Sequence, residues 1–264
     1  RAHFIIFSLK KFNKTIFTNV MNLFYKSDGK IAYNSKNNLY YKCHKNSKIY
    51  FPNKYRILGS MVNHQYEMIN LLNSYCLSGM DLDNDDLIVD CGANIGGFYL
   101  ALEMMGVKPN YIGFEPDKNV IECLKLNLKN KKNIKVYQNT LGPKDKTEKL
   151  YLKSNFGDST LQEIESEEVI DVETIALDSL YLNNIKLFKI DAEGSELEVL
   201  KGSLRTLQKT EYVSVDMGPE KGKNSQNTVS EVTNFLIKNK FELFKFNPER
   251  TVGLFKNNNL NTSL

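Results

Sequence analysis

Carboxylate and glycine residues stand together where an apolar run of the sequence stops. In the stretch LIVDCGANIGGF, Asp90 ends the run and is followed by Gly92, Asn94 and Gly96. Glu115 ends the next apolar run, 25 residues after Asp90. Glycine lets a ligand approach the backbone, and the start of the following helix offers free N–H groups. Because a carboxylate can accept hydrogen bonds from both hydroxyls of a ribose, the pattern predicts a site for a nucleoside-containing cofactor.

Two classes of cofactor use such a turn, and its spacing separates them. A dinucleotide needs Gly-x-Gly-x-x-Gly to seat its pyrophosphate, whereas this turn has Asp-x-Gly-x-x-x-Gly-Gly with Ala93 directly after Gly92. S-adenosylmethionine carries an amino acid instead of phosphates and needs an acid near its ammonium group, which Asp90 supplies. We therefore expect S-adenosylmethionine, bound by Asp90, Gly92, Asn94, Gly96 and Glu115.

The run KLFKIDAEGSELEVLKG carries residue types that methyl transfer to an alcohol would need. Lys189 and Asp191 share one face of a predicted strand, and a lysine in an apolar strand is unfavourable unless paired. A hydroxyl must lose its proton near the transition state, and a carboxylate can take it. We expect Lys189, Asp191 and Glu193 to be catalytic, with Lys189 bracing an acidic cluster that includes Asp216. The alternative is an ion pair that only closes the strand end.

A divalent metal is a second role for the same acids. Asp191 and Asp216 end neighbouring predicted strands, so they could hold Mg²⁺ or Mn²⁺ together with acceptor oxygens. Oxygen-only sites leave little trace in a sequence, and the three histidines lack metal-ligand spacing. The sequence therefore leaves metal dependence open and assigns no metal ligand.

The candidate residues lie at the ends of strands in a regular alternation of strand and helix. This alternation predicts a Rossmann-like α/β fold with a doubly wound, mostly parallel sheet. Strands are predicted at 87–90, 111–115, 134–139, 186–191 and 211–216, and helices at 60–77, 95–106, 117–130, 193–208 and 226–239. Two strand-like runs within 147–177 predict an inserted hairpin, and FELFKFN with TVGLFKN predicts a closing antiparallel hairpin with Pro248 in its turn.

The first 56 residues differ in charge from the rest of the chain. They hold 12 Lys or Arg against the single acid Asp28, a net charge of +11, whereas the whole chain has a net charge of +4. Residues 9–25 have the spacing of an amphipathic helix, and residues 30–51 alternate like a small antiparallel meander. We expect a basic α+β cap over residues 1–56 and a Rossmann-like domain over residues 57–264.

Charge and composition bound the partners and the compartment. Such a basic region could contact a membrane surface, although charge runs are more often solvated faces, and no nucleic acid partner is expected. No apolar stretch reaches transmembrane length, and the four cysteines have no Cys-x-x-Cys spacing, which is typical of reduced thiols in a cytoplasmic protein. The oligomeric state and the completeness of the N-terminus, which lacks a Met, stay open.

Five stretches of the sequence resemble the FkbM-type methyltransferases, in the order that this family shows them. They are VDCGANIGGF, FEPDKNVIECLKLNL, NTLG, ALDSL and FKIDAEGSELEVLKG. The resemblance implies an S-adenosylmethionine-dependent O-methyltransferase that acts on a hydroxyl of a sugar, glycan or related natural product. It also implies that Asp90, Gly92, Asn94 and Glu115 bind the cofactor, that Asn139 and Leu141 flank the adenine, and that Asp191, Glu193 and Glu196 form the signature block.

The acceptor side matches the family less well. Glu67 lies where the family often has a glutamate, but Asp158 replaces a small polar residue, and residues 1–56 match no part of the family pattern. Candidates for the wall of an acceptor pocket are Tyr99, Asp158, Tyr212 and Glu220.

Two other functions remain as alternatives at this point. An NAD(P)-dependent oxidoreductase or epimerase is disfavoured by the glycine turn and by the lack of a suitably placed Tyr-x-x-x-Lys pair. A non-catalytic Rossmann-like binding module would keep the fold, and its acids at the fourth strand would then be only structural.

Overall fold

The molecule alternates helices and strands, and the computed structural model describes residues 2–24, 28–45, 47–61, 63–152, 159–161 and 168–260. The helices are α1 Ala2–Lys11, α2 Lys14–Phe24, α3 Lys54–Gly59, α4 His64–Ser74, α5 Gly97–Met104, α6 Lys118–Asn127, α7 Glu196–Lys201, α8 Leu204–Leu207 and α9 Val229–Lys238. The strands are β1 Lys30–Asn34, β2 Leu39–His44, β3 Ser47–Phe51, β4 Leu87–Cys91, β5 Asn110–Phe114, β6 Ile134–Tyr137, β7 Thr140–Leu141, β8 Lys146–Leu152, β9 Ser159–Thr160, β10 Glu168–Ile175, β11 Ile185–Ile190, β12 Thr210–Asp216, β13 Phe241–Asn247 and β14 Val252–Asn257.

A seven-stranded sheet with the order β13-β14-β12-β11-β4-β5-β6 forms the centre of the molecule. The pairs among β12, β11, β4, β5 and β6 are parallel, and β14 joins β12 and β13 antiparallel. The chain enters this sheet at β4, near the middle, and adds its later strands outwards on one side and then on the other. The predicted doubly wound Rossmann-like fold with a closing hairpin is therefore confirmed. The carboxyl ends of β4, β5, β11 and β12 meet at one edge, where the candidate residues lie.

Apolar side chains of the central strands alternate between two layers of helices. Val89 and Phe188 pack with α7, α8 and α9, whereas Ile88 and Leu187 pack with α4, α5 and α6. The predicted helix over 193–208 is two short helices, α7 and α8, because the segment Gly202–Ser203 interrupts it. Glycine and serine are poor helix formers, which explains the break.

A second, four-stranded sheet has the order β7-β10-β8-β9. Its main pair is the antiparallel β8–β10 hairpin, with Glu168 opposite Leu152, as predicted for the insertion within residues 147–177. The hairpin brings Leu150 and Leu161 over the edge of the central sheet, where both contact the cavity described below.

The N-terminal segment forms a third sheet, β1-β2-β3, covered by helices. The predicted amphipathic helix over 9–25 is two helices, α1 and α2, and the chain turns at residues 12–13 between them. Phe17 and Met21 on α2 are buried in one apolar cluster with Ile57 of α3, a helix that the sequence did not predict. Helix α3 continues across positions 56 and 57. The division of the chain into two domains at that point stays a prediction.

Two polar contacts attach the N-terminal sheet to the glycine turn of the central sheet. Asn127, the last residue of α6, donates Nδ2 hydrogen bonds to the carbonyls of Tyr50 (3.1 Å) and Ile95 (2.8 Å) and accepts one from the Tyr50 N–H. Arg56 of α3 donates to Asn94 Oδ1 at 2.6 Å. The N-terminal sheet therefore contacts the turn that carries the predicted cofactor site.

The sequence predicted no membrane-spanning helix and no disulfide bonds, and the described residues bear on both points. Within those ranges, no helix combines the length and the apolar character needed to cross a bilayer. The described cysteines, Cys43, Cys76, Cys91 and Cys123, are free thiols, as their spacing predicted.

Candidate active site

Asp90 is buried next to the candidate site, where two side chains hold its carboxylate. Its side chain is 0% exposed, accepts a hydrogen bond from the Tyr111 hydroxyl at 2.5 Å and forms an ion pair with Lys189 at 3.0 Å. Burial raises the pKa of Asp90, and the charge of Lys189 opposes that shift. Oδ1 faces Lys189, and the expected contact of Asp90 with a cofactor ammonium group stays a prediction.

Lys189 connects the fourth parallel strand to the glycine turn. Its Nζ donates to the carbonyls of Gly92 (2.8 Å) and Cys91 (3.2 Å) and lies 3.9 Å from Asp191 Oδ2. Burial disfavours the charged ammonium, but Asp90, Tyr75 and Asp191 together outweigh this, and the pKa of Lys189 is raised. Lys189 is therefore a buried cation that fixes the turn. It was predicted to pair with an acidic cluster, and its main acidic partner is Asp90 rather than Glu193 or Asp216.

Two glycines shape the turn for different reasons. Gly92 has φ +76°, and a Cβ on it would collide with the carbonyl oxygen of Asp191, so only glycine lets the ends of β4 and β11 approach. Gly96 has φ +86°, and a Cβ there would lie 2.9 Å from Leu124 Cδ1. Gly96 therefore faces the core as the residue before α5 and does not line the cavity at the strand ends described next, so its expected contact with the cofactor stays a prediction.

Glu115 lines a narrow cavity at the ends of β4, β5 and β11. Its Oε2 accepts a hydrogen bond from the Asn94 N–H and its Oε1 one from the Asp117 N–H, both at 2.9 Å. The side chain is 6% exposed, and burial raises the pKa of Glu115 to about 7 despite these bonds. Each carboxylate oxygen can accept a further hydrogen bond, as a ribose would require.

The remaining predicted cofactor residues lie in the same cavity, which is called the cofactor cavity below. Asn139 and Leu141 line it together with Glu115, and Asn139 Nδ2 donates to the Glu173 carbonyl at 3.2 Å. Gly92, Asn94, Asp191 and Glu193 complete the part of the wall that the sequence predicted. All the described lining residues of the cofactor cavity follow position 90 in the chain.

A second cavity of about 900 Å³, here called the large cavity, lies between the N-terminal sheet and the central sheet. Phe51, Tyr55 and Phe98 contribute aromatic walls, and Glu67 contributes a carboxylate whose pKa burial raises to about 7. Three residues, Gly92, Asn94 and Asp191, line both cavities. The two cavities therefore meet at the carboxyl end of β11.

Asp191 is fixed at this meeting point by residues that the sequence analysis missed. Its Oδ2 accepts hydrogen bonds from the Tyr75 hydroxyl (2.5 Å) and from Nη2 of Arg250 (2.9 Å). Arg250 Nε also donates to Asp216 Oδ2 at 2.7 Å. Arg250 follows Pro248 in the closing turn, and only the pairing of β14 with β12 shows that this turn reaches the site. The guanidinium thus takes the position between Asp191 and Asp216 where a metal was considered.

Two further acids surround Asp191. Oxygen atoms of Asp191, Glu193 and Glu220 lie within 4.8 Å of one another. Burial, and then the charges of Asp191 and Asp216, raise the pKa of Glu220 to about 8. The proximity of three carboxylates does not by itself assign a metal, so metal dependence stays as open as the sequence left it.

Glu196 of the signature block shapes the turn after Asp191. Its Oε1 accepts hydrogen bonds from the N–H groups of Ala192 (3.2 Å) and Gly194 (2.9 Å), and its Oε2 one from the Thr228 hydroxyl (3.0 Å). This turn also holds Glu193, whose backbone has φ +49° and whose carbonyl accepts a bond from Thr160. Glu196 therefore supports the backbone at Asp191 and Glu193.

The predicted acceptor residues are only partly brought together. Glu220 lies beside Asp191, but Tyr99 is 1% exposed and packs edge-to-face against Tyr111 in the core. Tyr212 packs against Phe244 and lines neither cavity. Both tyrosines are thus packing residues, which corrects the expectation, and Asp158 lies outside the described residues.

A comparison with protein families decides the class of the molecule. The family model for the methyltransferase FkbM domain matches residues 90–244, more than half of the chain. The chain belongs to the FkbM methyltransferase family. The resemblance predicted from the five sequence stretches is confirmed, and this FkbM methyltransferase is an enzyme that transfers methyl groups.

Individual relatives are distant. The FkbM methyltransferase is 27% identical to methyltransferase sdnD of Sordaria araneosa over 186 residues, which cover 54% of this chain and 70% of that protein. It is 16% identical, with a TM-score of 0.49, to a methyltransferase FkbM from Methylobacillus flagellatus, and the match covers 76% of this chain but only 57% of that one. A tRNA (m1A22) methyltransferase of Streptococcus pneumoniae bound to S-adenosylmethionine is 12% identical, with a TM-score of 0.43, over 74% and 75% of the two chains.

Proposed function

We propose that this FkbM methyltransferase transfers a methyl group from S-adenosylmethionine to a hydroxyl of a small polyhydroxylated acceptor such as a sugar, glycan or related natural product. The observation that supports this most is the shared wall of the two cavities, with Asp191 exposed to both. Membership of the family leaves no reason to retain an oxidoreductase or a non-catalytic module.

The cofactor cavity fits the chemical groups of S-adenosylmethionine. Glu115 can bind the ribose hydroxyls, Asn139 and Leu141 can flank the adenine, and Gly92 and Asn94 line the cavity on the side of the glycine turn. When bound, S-adenosylmethionine supplies an electrophilic methyl group on its sulfonium. We assign no metal to the reaction, because Arg250 lies between the two acids that would have held it.

The large cavity suits a small acceptor better than a nucleic acid. Nucleic acid sites are open surfaces with unpaired basic side chains. Here the lysines and arginines among the described residues of the wall are engaged with protein groups: Lys42 with Asp28, Arg56 with Asn94, Lys189 with Asp90, and Arg250 with Asp191. Aromatic walls and the Glu67 carboxylate match a molecule with apolar faces and hydroxyl donors, and this supports a saccharide-type acceptor.

Asp191 is the residue we propose to take the proton of the acceptor hydroxyl. The recorded hydrogen bonds of its side chain in the described part of the chain go to Oδ2, which Tyr75 and Arg250 hold. Oδ1 is therefore the oxygen to which an acceptor hydroxyl can donate. Positioning of the hydroxyl and its deprotonation are the contributions that an enzyme makes to such a displacement.

Calorimetry and labelled methyl transfer test this function. The protein should bind S-adenosylmethionine and its demethylated product, S-adenosylhomocysteine, but not NAD. With S-adenosylmethionine labelled in the methyl group, label should enter a mixture of methyl glycosides and oligosaccharides, and mass spectrometry of the products then gives the methylated position. Transfer of label to tRNA and not to the saccharides would contradict the proposed acceptor class.

The proposed role of Glu115 predicts a pH-dependent cofactor affinity. Burial raises the pKa of Glu115 to about 7, and ribose hydroxyls donate best to the ionised carboxylate. The ionised fraction falls as the pH drops through this pKa, so we expect affinity for S-adenosylmethionine to weaken about tenfold from about pH 8 to about pH 6. Calorimetry over this range measures it. Glu115→Gln should bind weakly at all these pH values, and an unchanged slope in that variant would assign the titration to another group.

We also propose that the N-terminal helices contact an anionic membrane surface. Ile16 and Leu23 are 63% and 77% exposed on α2, in the segment with the net charge of +11. We expect the protein to sediment with vesicles of phosphatidylcholine and phosphatidylserine. The double variant Ile16→Ser with Leu23→Ser should lower the vesicle-bound fraction of the protein at least about threefold. The control is Leu204→Ser with Ile237→Ser, which changes exposed apolar residues elsewhere. Equal binding of both double variants would contradict the proposed surface.

A further inference from the structure

We propose that Arg250 is the resident cation of the active site: its guanidinium takes the place that a divalent metal would occupy and positions Asp191 for proton transfer. The inference rests on the proposed function for the role of Asp191. Arg250 is one of the residues that line the large cavity, and in the role proposed here it is a positioning residue that acts on the reaction through Asp191.

The topology of the closing hairpin brings Arg250 to the site. β14 runs antiparallel to β12, and Val252 at its start pairs with Asp216 at the end of β12. Arg250 precedes Val252 by two residues, so it lies just beyond the carboxyl ends of the strands. Asp191 follows directly after β11, the parallel neighbour of β12.

The guanidinium uses all three nitrogens on groups around Asp191. Nε donates to Asp216 Oδ2 at 2.7 Å, and Nη2 donates to Asp191 Oδ2 and to the Tyr75 hydroxyl, both at 2.9 Å. Nη1 donates to the Ser74 hydroxyl at 3.2 Å. The guanidinium carbon also lies 4.6 Å from the centre of the Tyr75 ring. Such a fixed fork holds two carboxylates in one orientation, which a flexible ammonium group cannot do.

The charges at this edge require a cation. Asp191 and Asp216 end adjacent strands, and both are more than four-fifths shielded from solvent. Burial and then the charge of Asp191 raise the pKa of Asp216, whereas Arg250 lowers it. Without a cation, two carboxylates this close would repel each other or take up a proton. Lys189 lies 3.9 Å from Asp191 Oδ2, but its nearer partner is Asp90 at 3.0 Å. Arg250 therefore supplies the positive charge that the two acids share, through one bond to Oδ2 of each.

Mn²⁺ provides a test that needs no acceptor. Removing the guanidinium in Arg250→Ala exposes Asp191 and Asp216 to solvent cations. By electron paramagnetic resonance, we expect the full chain with this substitution to bind Mn²⁺ at least tenfold more tightly than the unaltered protein, and millimolar guanidinium to displace the ion. Arg205→Ala, which removes an arginine paired with Asp178 on the surface, is the matched control and should not gain Mn²⁺ affinity.

Two further measurements separate positioning from general damage. Affinity for S-adenosylmethionine by calorimetry should stay within about threefold in Arg250→Ala, because Arg250 does not line the cofactor cavity. Labelled methyl transfer to the saccharide mixture should fall at least tenfold and recover in part with millimolar guanidinium. Arg250→Lys keeps the positive charge but lacks the planar fork of the guanidinium. It should therefore exclude Mn²⁺ and still transfer methyl groups slowly. If the alanine variant fails to fold, the lysine variant takes its place in the methyl-transfer measurement.

Three results would overturn the inference. One is tight Mn²⁺ binding by the unaltered protein together with loss of methyl transfer in EDTA. Another is a folded Arg250→Ala protein whose Mn²⁺ affinity is unchanged. The third is full methyl transfer by Arg250→Lys and Arg250→Ala alike. The Mn²⁺ result stands even if no saccharide accepts a methyl group, so failure of the proposed acceptor class is distinguishable from failure of this inference.

Discussion

Replacing Asp191 by Asn is expected to lower methyl-transfer turnover by roughly two orders of magnitude or more while S-adenosylmethionine affinity stays within a few-fold. The amide oxygen can still accept the bonds from Tyr75 and Arg250 that now reach Oδ2, so the side chain keeps its orientation. It cannot take a proton from the acceptor hydroxyl. Single-turnover rates with labelled S-adenosylmethionine and cofactor calorimetry measure the two effects.

The control for this variant is Asp171→Asn, which removes the same charge from an exposed position in the β8–β10 hairpin. EDTA then separates a base from a metal ligand, since only a metal ligand would lose activity that Mg²⁺ or Mn²⁺ restores. Normal turnover of Asp191→Asn would return the acids at this strand end to a structural role. Glu193, which lines the cofactor cavity beside it, would be the next residue to replace.

Replacing Glu115 by Ala is expected to weaken S-adenosylmethionine binding by about 2 to 3 kcal/mol, which is roughly 30- to 150-fold. The substitution removes two charge-assisted hydrogen bonds to the ribose. It also leaves the N–H groups of Asn94 and Asp117 without the acceptors they have in the structure, so the turn itself loses support. Calorimetry with S-adenosylmethionine measures the change.

Glu115→Gln is the matched variant, because it keeps the size and one acceptor oxygen but cannot serve both N–H groups and both hydroxyls. It should fall between the unaltered protein and Glu115→Ala. A melting temperature near that of the unaltered protein shows that the fold survives. Unchanged affinity in both variants would place the ribose away from Glu115.

The central sheet was predictable because its signals are local. The runs around Asp90, Glu115 and Asp191 combine an apolar strand with a carboxylate at its end, and the strand order brings such ends to one edge. Strand alternation likewise placed Lys189 on the face of Asp191, where the structure has it 3.9 Å away. Its main partner, Asp90, depends on the register between β11 and β4, which no local pattern specifies.

The residues that the sequence analysis missed depend on long-range placement. Tyr75 precedes the first central strand and Arg250 lies in the last turn, yet both reach Asp191 Oδ2. Their types are common in packing and surface roles, so neither stands out in a linear sequence. Tyr99 shows the reverse case: it was a candidate for a pocket wall, but its ring packs against Tyr111 in the core.

The two cavities are lined largely by different parts of the chain, and this has an evolutionary consequence. The cofactor cavity is built by residues that follow position 90, whereas Ile49, Phe51, Tyr55 and Leu58 form a wall of the large cavity from the N-terminal segment. Substitutions in that wall can therefore change which acceptor is selected without altering the groups that hold the cofactor. Arg56 and Asn127, which tie the segment to the glycine turn, limit this freedom. Among descendants of this chain, substitutions that change the acceptor should thus lie mostly between positions 39 and 61, and Arg56 and Asn127 should be retained.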